Sequence, residues 1–174
     1  MAAYTLGVGL LNQDAAADRD RGLESMLQAR DVWLRRRIHF LIPVTDVWAA
    51  RETARRGDRD AAIPVMRQAL DELRQGYPFY GLWATGVLVE TLLERAAGGD
   101  LAEAQEATDW LANLSADDRS AILDITLLRL RALLARTRGD TVDFQDLLSR
   151  YRETAESLGF EGHIDWAEAM IDGT

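Results

Sequence analysis

Apolar residues recur every three to four positions along most of the chain, and short polar corners interrupt them at intervals. Long stretches of alternating β-branched residues are missing, and helix-forming residues dominate, which predicts an all-α chain. The pattern resolves into helices near 3–12 paired with 18–35, 44–56 with 58–75, 81–97 with 100–113, and 118–138 with 140–158. A closing helix follows at about 162–171. "GLWATGVLVETLLERA" and "SAILDITLLRLRALLA" are apolar on most sides, as expected of helices packed on several faces. The other helices carry a single apolar stripe.

Three of the corners share one spelling: Gly57-Asp58, Gly99-Asp100 and Gly139-Asp140, about 40 residues apart. Glycine reaches the left-handed conformation that ends a helix without a Cβ penalty. Aspartate accepts hydrogen bonds from the open N–H groups of the next helix, and its charge suits that helix's positive end. Glu103, three residues after Asp100, adds a capping-box pattern. Asp18 is a weaker fourth member, with the polar run "NQDAAADR" in place of the glycine. Two of the corners spell RGD, at Arg56-Gly57-Asp58 and Arg138-Gly139-Asp140. The predicted role there is helix end, turn and helix start, not adhesion.

A regular spacing of this length means repeated helix pairs. One face of each second helix places small residues at equivalent positions: Gly22 and Ala29, Ala62 and Ala69, then Ala104 opposite the larger Leu111. Small side chains allow close helix approach. Phe144 and Tyr151 hold those places in the last pair, as fits a terminal unit. The stretch "GDRDAAIPVMRQALDEL" thus resembles the second half of a tetratricopeptide repeat. The resemblance implies an α–α superhelix of about four pairs (3–35, 44–75, 81–113, 118–158) with a C-terminal capping helix, all one domain over 1–174. Pro64 departs from the pattern. It removes a helical hydrogen bond, so a late helix start or a kink is expected there.

Longer phrases carry a more specific likeness: "ARRGDRDAAIPVMRQALDEL", "GVLVETLLERAAGGDLAEAQEATDWLA", "LLRLRALLARTRGD" and "SLGFEGHIDWAEAM". From about Ala54 onward the chain resembles the C-terminal helical region of actinobacterial, notably mycobacterial, multidomain signalling proteins. These are adenylate cyclases or LuxR-type regulators that join a cyclase domain, a P-loop ATPase module and helical repeats. The resemblance implies a regulatory position in such a protein, with the other domains as possible partners and the catalysis located elsewhere. Helical pattern from Met1 onward is an expectation in the same sense, that of a piece of a larger protein.

Composition narrows the remaining classes. The 174 residues carry a formal charge of −9, and apart from two histidines every basic side chain is arginine. An acidic excess repels nucleic acid backbones, so no nucleic-acid partner is expected. The absence of cysteine removes thiolate chemistry and suits a cytoplasmic address. The apolar run at the start ends at Asn12, too short for a membrane span. No GxxxxGK phosphate loop exists without lysine. No cofactor and no metal are expected.

Candidate sites remain. "YPFYGLW" supplies Tyr77, Phe79, Tyr80 and Trp83, which with Trp48 form either the wall of a peptide or ligand groove or filling between helix pairs. "WLRRRIHF" places Arg35, Arg36 and Arg37 at a helix end, as a solvated cap or as a grip on an acidic partner segment. In "SLGFEGHIDWAEAM", Phe160, Ile164, Trp166, Ala167, Met170 and Ile171 read as a helix docked over the last pair. His163, Asp165 and Glu168 read as polar surface rather than a metal or acid–base site. Ser115, Ser120, Ser149 and Ser157 form no triad with two histidines. The expected function is therefore non-enzymatic: a tetratricopeptide-like protein-interaction or regulatory domain with a protein or peptide partner. The alternative is a small-molecule sensor with a pocket between pairs two and three.

Overall fold

The computed structural model describes residues 2–114 and 120–172, and the described residues are helical throughout, without strands. Among the described residues nine helices follow one another: α1 (Ala2–Leu11), α2 (Ala16–Arg36), α3 (Leu41–Arg55), α4 (Arg59–Gly76), α5 (Pro78–Arg95), α6 (Asp100–Ala112), α7 (Ala121–Arg138), α8 (Thr141–Leu158) and α9 (Glu161–Asp172). Most boundaries lie within two or three residues of the sequence expectation. Ser115 and the expected start of α7 at 118 lie outside the described residues. The chain divides into two compact units, Met1–Thr91 and Leu92–Thr174, with the boundary inside α5. No described helix is long and apolar enough to cross a membrane.

The corners explain why the helices stop where they do. Gly57, Gly99, Gly139 and Gly159 all take positive φ, between 67° and 101°, where other residues are strained. Asp58 then accepts the N–H of Ala61 at 3.1 Å, and Asp140 accepts that of Asp143 at 3.1 Å. The arginines of the two RGD corners are also committed. Arg56 pairs with Glu52 and Asp20, and Arg138 donates to the Gln105 side chain at 2.5 Å. RGD here is a structural joint.

Asp100 corrects the capping expectation. It is the first residue of α6, and its carboxylate turns back onto the preceding helix instead of capping its own. It takes both Arg95 nitrogens, at 2.9 and 2.6 Å, and the Ala97 N–H at 2.8 Å. A bidentate guanidinium is a stronger partner than a single amide, so the pair decides where the carboxylate goes. Pro64 is a second correction: α4 already starts at Arg59, so the late start expected at the proline does not occur. Ala62, Ile63, Met66, Ala69 and Leu70 are all buried along α4. Burying an Ile or Met side chain contributes about 1.5–3 kcal/mol, and several such contacts offset one missing hydrogen bond.

In unit 1, α1 packs on α2, α2 on α3 and α3 on α4. The small-residue positions permit the first of these contacts. A Cβ built on Gly22 would lie 2.8 Å from the Leu11 backbone nitrogen, and one on Gly7 would lie 3.1 Å from the Gly22 carbonyl oxygen. The turn after α1 has no glycine and no side-chain cap; arginines close it instead. Arg55 donates to the Leu11 carbonyl at 2.7 Å, Arg51 to the Asn12 side chain at 3.1 Å, and Arg19 to the carbonyls of Gln13 and Asp14. Arg19 also reaches the buried Glu52 of α3, and Arg19 and Arg56 both donate to Glu52 Oε1, at 3.4 and 3.0 Å. A carboxylate so far from water is tolerable only with such partners.

In unit 2, α6 packs on α7, α7 on α8 and α8 on α9. Ala104, Leu111, Phe144 and Tyr151 are buried. Ser120 caps α7 by accepting the Leu123 N–H at 3.3 Å. The apolar side of α9 is anchored by Ala167 and Met170.

Two contrasts test these contacts by urea denaturation. Gly22→Ala should cost about 1–3 kcal/mol, because the new methyl meets backbone rather than a flexible side chain. Gly9→Ala, with open space around its Cβ site, should instead stabilise by about 0.5–1 kcal/mol. Among the corners, Asp58→Ala and Asp140→Ala should each cost about 1 kcal/mol. Asp100→Ala should cost more than either, since it strands the half-buried Arg95. Equal losses at all three aspartates would contradict the distinct role of Asp100.

Candidate functional site

α4 ends at Gly76 and α5 starts at Pro78, so a single residue, Tyr77, makes this corner. Proline at the first helical position gives up an N–H that has no helical partner there, which is why the helix can begin so abruptly. Phe79 and Tyr80 therefore stand on the first turn of α5. All three rings are outward: Phe79 is 72% exposed, Tyr77 47% and Tyr80 37%.

The five aromatic residues singled out in the sequence occupy two levels of unit 1. Trp48 is buried, and its ring stacks on half-buried Trp83 at 4.5 Å between centroids and 29° between planes. Arg51 lies over the Trp48 ring at 5.3 Å. Tyr77 and Tyr80 instead meet through Phe40, whose ring is 5.1 Å from the first and 5.8 Å from the second. Phe79 contacts Tyr80 edge-on at 5.8 Å. Offset and edge-on ring pairs of this kind contribute about 0.5–1.5 kcal/mol each beyond area burial.

Three members of this cluster were not anticipated: Phe40, Tyr4 and Trp33. Tyr4 lies 5.3 Å from Trp33. Burial pushes its hydroxyl above the usual phenol range. The available signal for Phe40 was an apolar residue inside the short connection "RRRIHF", where a polar one would serve a solvated turn.

That connection carries the arginine cluster. Arg35, Arg36 and Arg37 are exposed, and among the described residues none of the three has an ion-pair partner. Arg37 ends α2 in the left-handed conformation, at φ 57°, and the Ile38 N–H closes the turn on the Trp33 carbonyl at 2.9 Å. Glycine normally takes such a position, because a Cβ there costs roughly 1 kcal/mol.

In unit 2 the segment around α9 forms a different cluster. His163 Nδ1 is 2.8 Å from the Tyr151 hydroxyl, with the Trp166 ring edge-on at 5.0 Å and Phe160 at 6.0 Å. Arg129 stacks on the Trp166 ring at 4.3 Å. Burial lowers the His163 pKa below 6.5, and the Arg129 charge adds to the effect. The neutral imidazole is thus a docking contact between α8 and α9. A recess of about 360 Å³ lies along α8, lined by Phe144, Leu148 and Arg152 together with Ile171 of α9.

The His163 geometry sets a pH dependence. Its folded-state pKa is depressed, so the unfolded chain binds the proton first as pH falls. Stability should decline from about pH 6.5 downward, through the folded pKa, and be recovered on return to neutral pH. Urea midpoints at pH 7.5 and 5.0 should therefore differ more for the wild type than for His163→Gln. Equal differences would remove the histidine from the account.

In comparisons with protein-family models, curated proteins and solved structures, nothing matches this chain.

Proposed function

We propose that the chain is a non-catalytic interaction or regulatory domain built as a tetratricopeptide-like α–α superhelix. Its likeness to the helical region of cyclase and LuxR-type signalling proteins makes other domains of such a protein the first partners to consider. One observation carries the reading: Tyr77, Phe79 and Tyr80 expose three large rings at one rigid corner of unit 1. Scattered exposed apolar residues are ordinary, but contiguous aromatic surface on a fixed scaffold is the usual foothold of a protein partner. Aromatic anchors give much contact area for little lost side-chain freedom. A regulatory role further requires that the partner bind one arrangement of the helices better than another.

The Trp48–Trp83 stack bears on the alternative of an enclosed sensor pocket. Rings 4.5 Å apart admit no guest between them, so the aromatic surface open to a partner in unit 1 is the outer one.

The reading is tested by quantitative capture of partners from native extract with the full chain and with a Tyr77→Ser, Phe79→Ser, Tyr80→Ser variant. The variant should keep its helicity and unfolding midpoint and lose the wild-type partner at least tenfold. A partner retained at wild-type yield, or a substrate turned over by the purified chain, would overturn it.

A further inference from the structure

We propose that the exposed end of unit 1 formed by Arg35, Arg36, Arg37 and the Phe40–Tyr77–Tyr80 rings binds an acidic peptide segment bearing an aromatic or aliphatic anchor. The inference rests on the interaction reading above and adds the chemistry of the partner.

The sequence offers the arginines and the aromatics as separate features, 40 residues apart along the chain. Phe40 joins them. It lies three residues beyond Arg37, no more than about 11 Å at full extension, and it touches both Tyr77 and Tyr80. The rings provide an apolar footing beside the exposed Phe79, and the guanidinium groups provide fork-shaped donors for carboxylates.

Charge supports this choice of occupant. Unit 1 contains equal numbers of arginines and carboxylates, so the formal charge of −9 belongs to unit 2. Within unit 1 most arginines are spent internally: Arg19 and Arg56 on Glu52, Arg30 on Asp46, and Arg55 on the end of α1. Asp46 has its own arginine, and Asp31, one turn before Arg35, is the acidic residue nearest in sequence to the cluster. The three arginines of the corner are left facing solvent.

Gly57, Gly139 and Gly159 take the left-handed position after α3, α7 and α8, whereas Arg37 holds it after α2 and Ala96 after α5. Stability alone favours glycine at such a position.

Random 12-residue peptides displayed on phage and selected on the full chain provide the test, followed by fluorescence anisotropy of the recovered peptides. Enrichment of Asp and Glu around an aromatic or aliphatic residue is expected. Binding should weaken at least tenfold in Arg35→Gln, Arg36→Gln, Arg37→Gln and in Phe79→Ser, and it should fall with added salt. Arg37→Gly is the discriminating variant: its unfolding midpoint should rise while peptide binding weakens. Peptides without acidic bias, or indifferent to the arginine variants, would overturn this inference and leave the interaction reading standing. Recovery of no peptide at all would overturn both. Displacement of the peptide by a single-stranded oligonucleotide at equal concentration, or concentration-dependent self-association abolished by the same substitutions, would assign the surface to a different occupant and also overturn the proposal.

Discussion

Every helix in this chain has to end, and the way each one ends governs what the protein exposes. Where the corner is Gly-Asp after α3 and α7, the left-handed glycine stops one helix and the aspartate starts the next. The arginine before each glycine is engaged by a side chain of a neighbouring helix. Such corners engage their own polar groups. Two corners in unit 1 are spelled differently: Arg37 to Phe40 after α2, and the lone Tyr77 before Pro78. These two meet through Phe40, and they carry the exposed aromatic and basic side chains. Departure from the economical corner is where the surface acquires chemistry.

The helices and most corners were legible because their determinants are local. Apolar spacing, a glycine and an aspartate act within one or two turns, and neighbouring helices need not be known. Asp100 was misread because its strongest partner, Arg95, lies across the corner on the preceding helix, where a capping pattern does not look. The late start expected at Pro64 fails for a related reason: propensity counts one lost hydrogen bond, whereas the buried row from Ala62 to Leu70 is a tertiary contribution. The candidate site was legible only in parts. Tyr77, Phe79 and Tyr80 announce themselves by composition, and so do Arg35, Arg36 and Arg37. Their proximity depends on Phe40 folding onto the far corner, and no periodicity encodes that contact.

Electrostatics in unit 1 reinforces the same division. Glu52 is almost wholly buried, and its removal from water is compensated by Arg19 and Arg56 together. Breaking such an arrangement from one side leaves a charge without compensation, which costs about 3–5 kcal/mol in comparable buried pairs. Arg55 serves the open carbonyl at the end of α1, a place where a glycine corner would have needed no charge. Arginine is suited to these duties, since one planar group can serve a carboxylate and a carbonyl at once. The cluster at the end of α2 has the same composition without such duties.

The exposed rings are not isolated from the interior of unit 1. Tyr80 touches Phe40, Tyr4 contacts Trp33, and Trp48 stacks on Trp83. Phe79 and Tyr80 stand on the same helix as Trp83, one turn away along α5. A partner that draws the first turn of α5 toward itself therefore acts on the helix that also holds one half of the tryptophan stack. Closely packed rings resist gradual deformation and favour discrete arrangements. A contact made at this corner can shift the packing of unit 1 only as far as the partner's affinities for two such arrangements differ. The structural requirement for a regulatory domain is then modest: an outer ring cluster to take hold of, and an inner one, rigidly connected to it, that has more than one way to pack.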